Sequence, residues 1–143
     1  MESSEQDLAQ GLRLSVTRLA RRLRKEADTG ISPSMLSALS TIERSPAPPT
    51  IGELASAEGV QPPSATAVVG RLLEAGLVTR DADPEDGRVY RLGLTKDGAR
   101  LLERSRSRKT AFLAKRLANL SDEERTALGT AIPLLDGLLE EHQ

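Results

Sequence analysis

The spacing of apolar residues changes from a helical period to an alternating one and back, and this change constrains the fold more than any other feature. Up to Gly76 the apolar residues recur three or four positions apart, which predicts amphipathic helices. The segment Leu77–Arg80 then has the pattern of a strand, and in Tyr90–Leu94 the apolar residues alternate with Arg91 and Gly93, which predicts two strands joined by a polar loop. Helical spacing returns after Thr95. A single short hairpin among helices predicts a mainly α fold.

Capping residues set the bounds of the predicted helices. Ser32, Thr50, Thr95 and Ser121 each stand where a helix N-cap is expected, and Gly76 follows the last residue of its helical segment. The predicted helices run from about Leu8 to Gly30, Pro33 to Arg44, Ile51 to Glu58, Pro62 to Ala75, Lys96 to Leu120 and Asp122 to Leu139.

The third and fourth predicted helices are short and are joined by a tight turn that contains Gly59, which is the helix-turn-helix pattern. A hairpin directly after such a pair is a wing. The predicted fold class is therefore mainly α with a small β-hairpin wing: a winged helix-turn-helix plus a helical dimerisation region. We assign residues 31–99 to the winged lobe, and residues 1–30 and 100–143 to the dimerisation region.

The first and last helices carry apolar stripes that need a partner. They could fold back onto the chain or build a homodimer, and we favour the homodimer because binding two DNA half-sites also requires two lobes. The predicted interface residues are Leu8, Leu12, Val16, Leu19, Leu117, Leu128, Ile132, Leu135 and Leu139.

The composition argues against several classes of function. There is no cysteine, and the one histidine, His142, lies next to the end of the sequence. We find no metal-ligand spacing and no phosphate-binding glycine motif, and therefore expect no enzyme, no metal and no cofactor. Tyr90 and Phe112 are the only aromatic residues, too few for a surface that stacks single-stranded bases.

The polar start of the sequence does not resemble a signal peptide, and no apolar run reaches the roughly 18 residues that a membrane helix needs. We therefore expect a cytoplasmic protein without a membrane partner. The net charge of −1 counts weakly against a nucleic-acid partner, but the charge is segregated. Between residues 101 and 120 six basic residues stand against Glu103 alone. We interpret this basic run as the solvated middle of a long helix.

Short motifs within residues 50–98 follow the order of a known family. They are Leu54-Ala55, Val60, Pro63-Ser64, Arg71-Leu72, Gly76-Leu77-Val78, the wing block 83–88, and the junction from Leu94-Thr95 to Gly98. Together they resemble the winged-helix core of the MarR family of bacterial regulators. The resemblance implies a triangular two-fold dimer whose terminal helices interlock, with the fourth helix in the major groove and the wing in the adjacent minor groove. It also implies that such proteins commonly repress, and that a small effector often relieves repression.

The fourth helix has one face for the core and one for DNA. Ala65, Val68, Val69 and Leu72 share the inner side. The candidate recognition residues on the outer side are Gln61, Pro62, Pro63, Ser64, Thr66, Ala67, Gly70 and Arg71. Gln61 can pair with adenine, and Thr66 can hydrogen-bond a base or contact a thymine methyl. Pro62 and Ala67 can pack against thymine methyl groups. The alternative is an ordinary exposed surface.

This outer face departs from the family pattern at two positions. Many relatives carry a basic residue where Ala67 stands and an acid where Gly70 stands. Direct readout by this helix is therefore expected to be sparse, with more of the specificity coming from the wing or from DNA shape.

In the wing we select Asp86, Gly87 and Arg88. An arginine at a wing tip can enter a narrow minor groove, and Asp86 can hold its guanidinium in place. The alternative is a solvated ion pair among Asp83, Asp86 and Arg88, which contributes only about 0–1 kcal/mol to stability. The candidates for phosphate contacts are Thr50, Ser64, Arg71 and Arg80; an internal ion pair is equally open for Arg71.

The sequence thus predicts a homodimeric repressor that binds double-stranded DNA at a pseudo-palindromic operator. The alternative is a winged helix that binds a protein or a small molecule and has weak or lost DNA binding; the near-zero net charge and the uncharged face of the fourth helix favour it. A small-molecule effector is left open, and nothing in the sequence identifies it.

Overall fold

The computed structural model describes residues 4–140, and within them it contains six helices and one two-stranded antiparallel sheet. The elements are α1 (Glu5–Ala27), α2 (Pro33–Arg44), α3 (Ile51–Glu58), α4 (Pro62–Glu74), β1 (Val78–Ala82), β2 (Tyr90–Leu94), α5 (Lys96–Leu117) and α6 (Asp122–Gly137). The predicted fold class is confirmed. His142 lies outside the described residues.

Local hydrogen bonds explain where the helices begin. The hydroxyls of Ser32, Thr50, Thr95 and Ser121 each accept a hydrogen bond from the backbone N–H three residues later, as predicted. At Ser121 the box is reciprocal, since the Glu124 carboxylate accepts from the N–H of Ser121 at 3.0 Å. Capping therefore fixes these four helix starts.

Several helix bounds differ from the sequence-based ones. Helix α1 runs from Glu5 to Ala27 rather than from about Leu8 to Gly30, and α4 ends at Glu74 rather than Ala75. The fifth helix ends at Leu117, three residues earlier than predicted, because a separate turn leads into the Ser121 cap. The sixth ends at Gly137, and so Leu139 lies beyond the helix that was predicted to carry it.

The core lies between α2, α3, α4, the hairpin and the start of α5. Leu39, Leu54, Leu72 and Leu92 are at most 1% exposed and come from four different elements. Residue Gly98 brings α5 against the hairpin so closely that a Cβ there would lie 2.2 Å from the carbonyl oxygen of Leu77. The lobe predicted for residues 31–99 therefore packs around one core.

The hairpin pairs β1 with β2 in a register that sets Val78 opposite Leu94 and Ala82 opposite Tyr90. The N–H of Leu92 also donates to the carbonyl of Pro49 at 2.8 Å. The segment just before α3 is thus bonded to β2, and the wing is tied to the helix-turn-helix at its base.

Two residues of the basic run on α5 make structural contacts, although Arg104, Arg106 and Arg108 are exposed as predicted. Arg108 donates to the carbonyls of Ala27 and Asp28 at 2.8 and 2.9 Å, at the end of α1. Arg106 pairs with Glu43 of α2 at 2.8 Å. These side chains connect α5 to two other helices, because α5 passes between them.

Helix α6 buries none of its residues within this chain. Its large apolar side chains are exposed, namely Leu128, Ile132, Leu134 and Leu135. None of the helices between residues 4 and 140 combines the length and apolarity that crossing a bilayer requires.

Candidate nucleic-acid interface

The two faces of α4 are as predicted. Ala65, Val69 and Leu72 are buried and Val68 is half-buried against the core. The opposite side exposes all eight candidate residues, namely Gln61, Pro62, Pro63, Ser64, Thr66, Ala67, Gly70 and Arg71. This surface is open and consists mostly of small side chains, which lets the backbone approach a neighbouring molecule closely.

The start of α4 offers few free backbone donors. Pro62 and Pro63 have no N–H, and the N–H of Ser64 already bonds to the carbonyl of Gln61 at 3.0 Å. An anion therefore cannot bind this helix end through the usual free amides. Any phosphate contact of Ser64 must use its hydroxyl.

Three side chains on this face differ in the hydrogen bonds and ion pairs that they make within the chain. The Gln61 side chain makes no capping bond to the helix. The Thr66 hydroxyl donates to the carbonyl of Pro62 at 3.0 Å, which leaves its oxygen as an acceptor and its methyl for contact. Within the described residues Arg71 forms no ion pair, and so its internal-pair alternative is not observed.

At the tip of the wing, Asp86 holds Arg88 as predicted. The Nε and Nη2 of Arg88 donate to the two oxygens of Asp86 at 3.1 and 3.3 Å, and the backbone N–H of Arg88 also donates to Oδ1. The guanidinium bonds and then the backbone bond lower the pKa of Asp86 from its usual 3.8. The Arg88 side chain is still 90% exposed, and so it is oriented without being covered.

Asp83 does not pair with Arg88, and so the alternative of a three-residue ion pair is observed only in its Asp86–Arg88 part. Its Oδ2 accepts instead from the Nε of Arg91 at 2.6 Å, and its Oδ1 accepts from the N–H groups of Glu85 and Asp86. The bond from Arg91 is the main cause of the lowered pKa of Asp83, followed by the N–H of Glu85. Sequence reasoning missed Arg91, although its place in β2 near an acidic loop was a usable signal.

The two other phosphate candidates already have partners. The Thr50 hydroxyl caps α3 and also donates to Oε1 of Glu53 at 3.2 Å. The guanidinium of Arg80 lies 4.1 Å from the centre of the Tyr90 ring, in a cation–π contact on the hairpin. Arg80 is exposed and keeps its charge available, whereas Thr50 is half-buried.

A cavity of about 660 Å³ opens between α1, α2, α4 and α5. Its wall includes the cations Arg24, Arg44 and Lys109. Ser105 also lines it, and its hydroxyl is buried without a hydrogen-bond partner among the described residues. An unpaired buried hydroxyl is unfavourable by about 1–3 kcal/mol, and so this cavity suits a polar occupant. No group of three acidic or histidine side chains within residues 4–140 could hold a metal ion.

Comparison with known proteins assigns this architecture to a family. Residues 31–90 match the model of the MarR family. An uncharacterised HTH-type transcriptional regulator of Mycobacterium bovis is 39% identical over 142 residues, which cover 99% of each chain.

The chain belongs to the MarR family.

Solved structures agree with this MarR assignment. A proposed transcriptional regulator from Pseudomonas aeruginosa matches with a TM-score of 0.85 and 36% identity, covering 98% of this chain and 100% of that one. A MepR mutant of S. aureus bound to an oligodeoxyribonucleotide shares the fold, with a TM-score of 0.70, 19% identity, and coverage of 97% and 100%. This MarR protein is therefore a DNA-binding transcription regulator with a winged helix.

Proposed function

We propose that the protein is a homodimeric repressor that binds a pseudo-palindromic operator, with α4 in the major groove and Arg88 in the adjacent minor groove. The observation that carries this proposal is the pairing of an open small-residue face on α4 with an exposed arginine that Asp86 holds at the wing tip. An oriented guanidinium loses less freedom when it enters a groove, and the small face lets the helix lie close to base edges.

Exposed apolar side chains support the homodimer. Leu8 is 67% exposed, Ile132 57% and Leu139 84%, all on the terminal segments. The exposed set also includes Leu14, Leu134 and Leu138, which the sequence analysis did not select. Burying this apolar surface against a second copy stabilises the dimer by roughly 25 cal/mol per Å². The same surface left exposed to water would favour non-specific aggregation.

The proposed readout divides between bases and backbone. Gln61, Thr66 and Ala67, with Pro62, Pro63 and Gly70 beside them, would lie over base edges. The residues that would contact phosphates are Ser64, Arg71, Arg80 and Thr50. The contact of Thr50 would be the weakest, because its hydroxyl already makes two hydrogen bonds with Glu53. Gly87 lets the chain turn tightly between Asp86 and Arg88.

DNA binding can be tested on a duplex that the wild-type protein enriches from a randomised pool. We expect this duplex to bind at least ~10³-fold more tightly than random DNA, with affinity falling as salt rises. Arg88→Ala should weaken the complex, whereas Arg100→Ala, which removes another exposed charge, here on α5, should change it little. A pool that fails to converge would refute operator binding.

The homodimer can be tested by sedimentation of Ile132→Glu. A buried carboxylate at the centre of the proposed interface should yield monomers, because an unpaired charge is costly to desolvate. Thr130→Glu adds the same charge to the same helix on its exposed polar side and should leave the dimer intact. Equal sedimentation of both variants and the wild type would show that α6 is not the interface.

The repressor role follows if the bound dimer blocks access to a promoter. Purified protein added to a template that carries the enriched duplex at the promoter should lower run-off transcription. An increase in transcript would assign the protein as an activator instead.

The cavity between α1, α2, α4 and α5 supports an effector site for a small organic molecule. The cations Arg24, Arg44 and Lys109 outnumber the acid Glu58 in its wall and so favour negatively charged groups, and the buried Ser105 hydroxyl has no hydrogen-bond partner among the described residues. A thermal-shift screen with small organic acids should find binders that weaken the DNA complex. Ser105→Ala should reduce their shifts without lowering the stability of the free protein.

A second candidate function is a winged helix that binds a protein or small molecule and has little affinity for DNA. The net charge of −1 and the absence of charge on most of the α4 face favour it. If Arg88→Ala leaves the affinity for duplex DNA unchanged, this second function becomes the better account.

A further inference from the structure

Arg91 on β2 contacts three separate parts of the lobe. Its Nε donates to Oδ2 of Asp83 at 2.6 Å, and its Nη1 donates to the carbonyl of Pro48 at 2.9 Å. The same Nη1 lies 3.4 Å from Oε1 of Glu53 on α3. One planar side chain therefore joins the wing loop, the segment before α3, and α3 itself.

Asp83 uses its two oxygens for different contacts. Oδ1 accepts from the backbone N–H of Glu85 at 2.8 Å and of Asp86 at 3.2 Å, which shapes the wing turn. Oδ2 accepts from Arg91. The Asp83 side chain is only 14% exposed, although the wing around it is open to solvent. Asp86 in turn holds Arg88, and a continuous series of bonds runs from α3 to the wing tip.

We infer that the Asp83–Arg91 pair is a positioning device that fixes the direction of the wing relative to α3 and α4. Neither residue needs to touch DNA. Because the pair holds the loop before binding, Arg88 reaches the minor groove at a set distance from α4, and little ordering entropy is lost on binding. This inference rests on the proposed operator binding, and it assigns to Asp83 and Arg91 a role distinct from that of Arg88.

The variant Asp83→Asn distinguishes a positioning role from a purely electrostatic one, because the two roles predict opposite changes in DNA affinity. Removing a negative charge near DNA should tighten binding if only electrostatics matter. Loss of wing positioning should instead weaken DNA binding. We expect the affinity of Asp83→Asn for the duplex enriched by the wild-type protein to be about threefold to tenfold lower. Glu85→Gln removes the same charge from the same loop and should bind as tightly as the wild type or slightly more tightly.

A double-mutant cycle shows whether the pair acts through the wing tip. In an Arg88→Ala background, Asp83→Asn should change the affinity less than about twofold, because the side chain that it positions is gone. Hydroxyl-radical footprints of Asp83→Asn should lose protection in the minor groove, while protection of guanine N7 in the major groove against methylation by dimethyl sulfate should remain. An additive cycle, or binding that Asp83→Asn leaves unchanged or tightens, would overturn the inference.

Folding is checked by the thermal unfolding midpoint of each variant. If Asp83→Asn does not fold, Asp83→Glu keeps the charge but moves the carboxylate so that the turn and Arg91 cannot both be bonded, and it should weaken binding in the same way. Failure of the wild-type protein to enrich any duplex would instead refute the proposed function, so the two failures are distinguishable.

Discussion

At the scale of single residues, Gly98 shows how one position can join two elements. Its Cα lies against the backbone of Leu77, whose carbonyl also accepts from the N–H of Thr95 at 3.1 Å. The Thr95 hydroxyl completes this junction by donating to the carbonyl of Gly76 at 2.7 Å. Together these contacts anchor the start of α5 on the base of the wing.

We therefore expect Gly98→Ala to destabilise the protein by about 1–3 kcal/mol, because its Cβ would overlap the carbonyl of Leu77. Gly70→Ala is the matched control, since nothing lies within 4 Å of a Cβ at that helical position. It should stabilise the protein by roughly 0.5–1 kcal/mol. Urea unfolding of the two variants measures both effects; a neutral Gly98→Ala would contradict the packing.

Acidic pH should reveal the contribution of Asp83. Arg91 and the loop N–H groups lower its pKa from 3.8, and so its stabilising effect is complete above that value and is lost as the pH falls through the lowered one. Asp86 and Glu124 act in the same direction. When the pH is lowered from about 6 to about 3, the thermal unfolding midpoint of Asp83→Asn should fall less than that of the wild type. Equal losses would mean that Asp83 is not bonded as described.

At the scale of elements, α5 belongs to both halves of the molecule. Leu101 and Leu102 near its start are buried in the lobe, while its later turns pack along α1. Phe112 lies between the guanidinium groups of Arg22 and Arg116, at 5.2 and 4.9 Å. Helix α5 therefore links α1 to the lobe.

Arg108→Met should loosen the end of α1, because it removes the two bonds to the carbonyls of Ala27 and Asp28. We expect a loss of about 1 kcal/mol and faster amide exchange over residues 24–28. Arg104→Met removes a charge from an exposed position on the same helix and serves as the control. Equal exchange in both variants would show that Arg108 does not hold α1.

At the scale of the whole molecule, the terminal segments have no core of their own. The described part of α6 has no buried residue, and its apolar side chains are open to solvent. If a second copy covers them, folding and association are coupled, and apparent stability depends on protein concentration.

The thermal midpoint should therefore rise when the protein is concentrated, and removal of the segment after Leu120 should leave monomers or insoluble protein. Sedimentation at several concentrations checks both statements. An intact dimer after this truncation would place the interface elsewhere, on α1 and α5 alone.

Sequence alone was enough for features that depend on neighbours a few residues apart. The caps at Ser32 and Ser121 and the two faces of α4 follow from spacings of three or four residues. The hydrogen bonds between Asp86 and Arg88 join residues that are only two positions apart. Such contacts form within one element or turn, whatever that element packs against, and so the local pattern suffices to predict them.

Tertiary structure decided the contacts that join distant parts of the chain. Arg91 bonds a carbonyl 43 residues away and Arg108 one that is 81 residues away. A charged side chain can choose among several partners, and the choice depends on which elements the core brings together. For that reason the contacts of Arg91 with Pro48 and Glu53, the structural part of the basic run on α5 and the unpaired hydroxyl of Ser105 could not be predicted from the sequence.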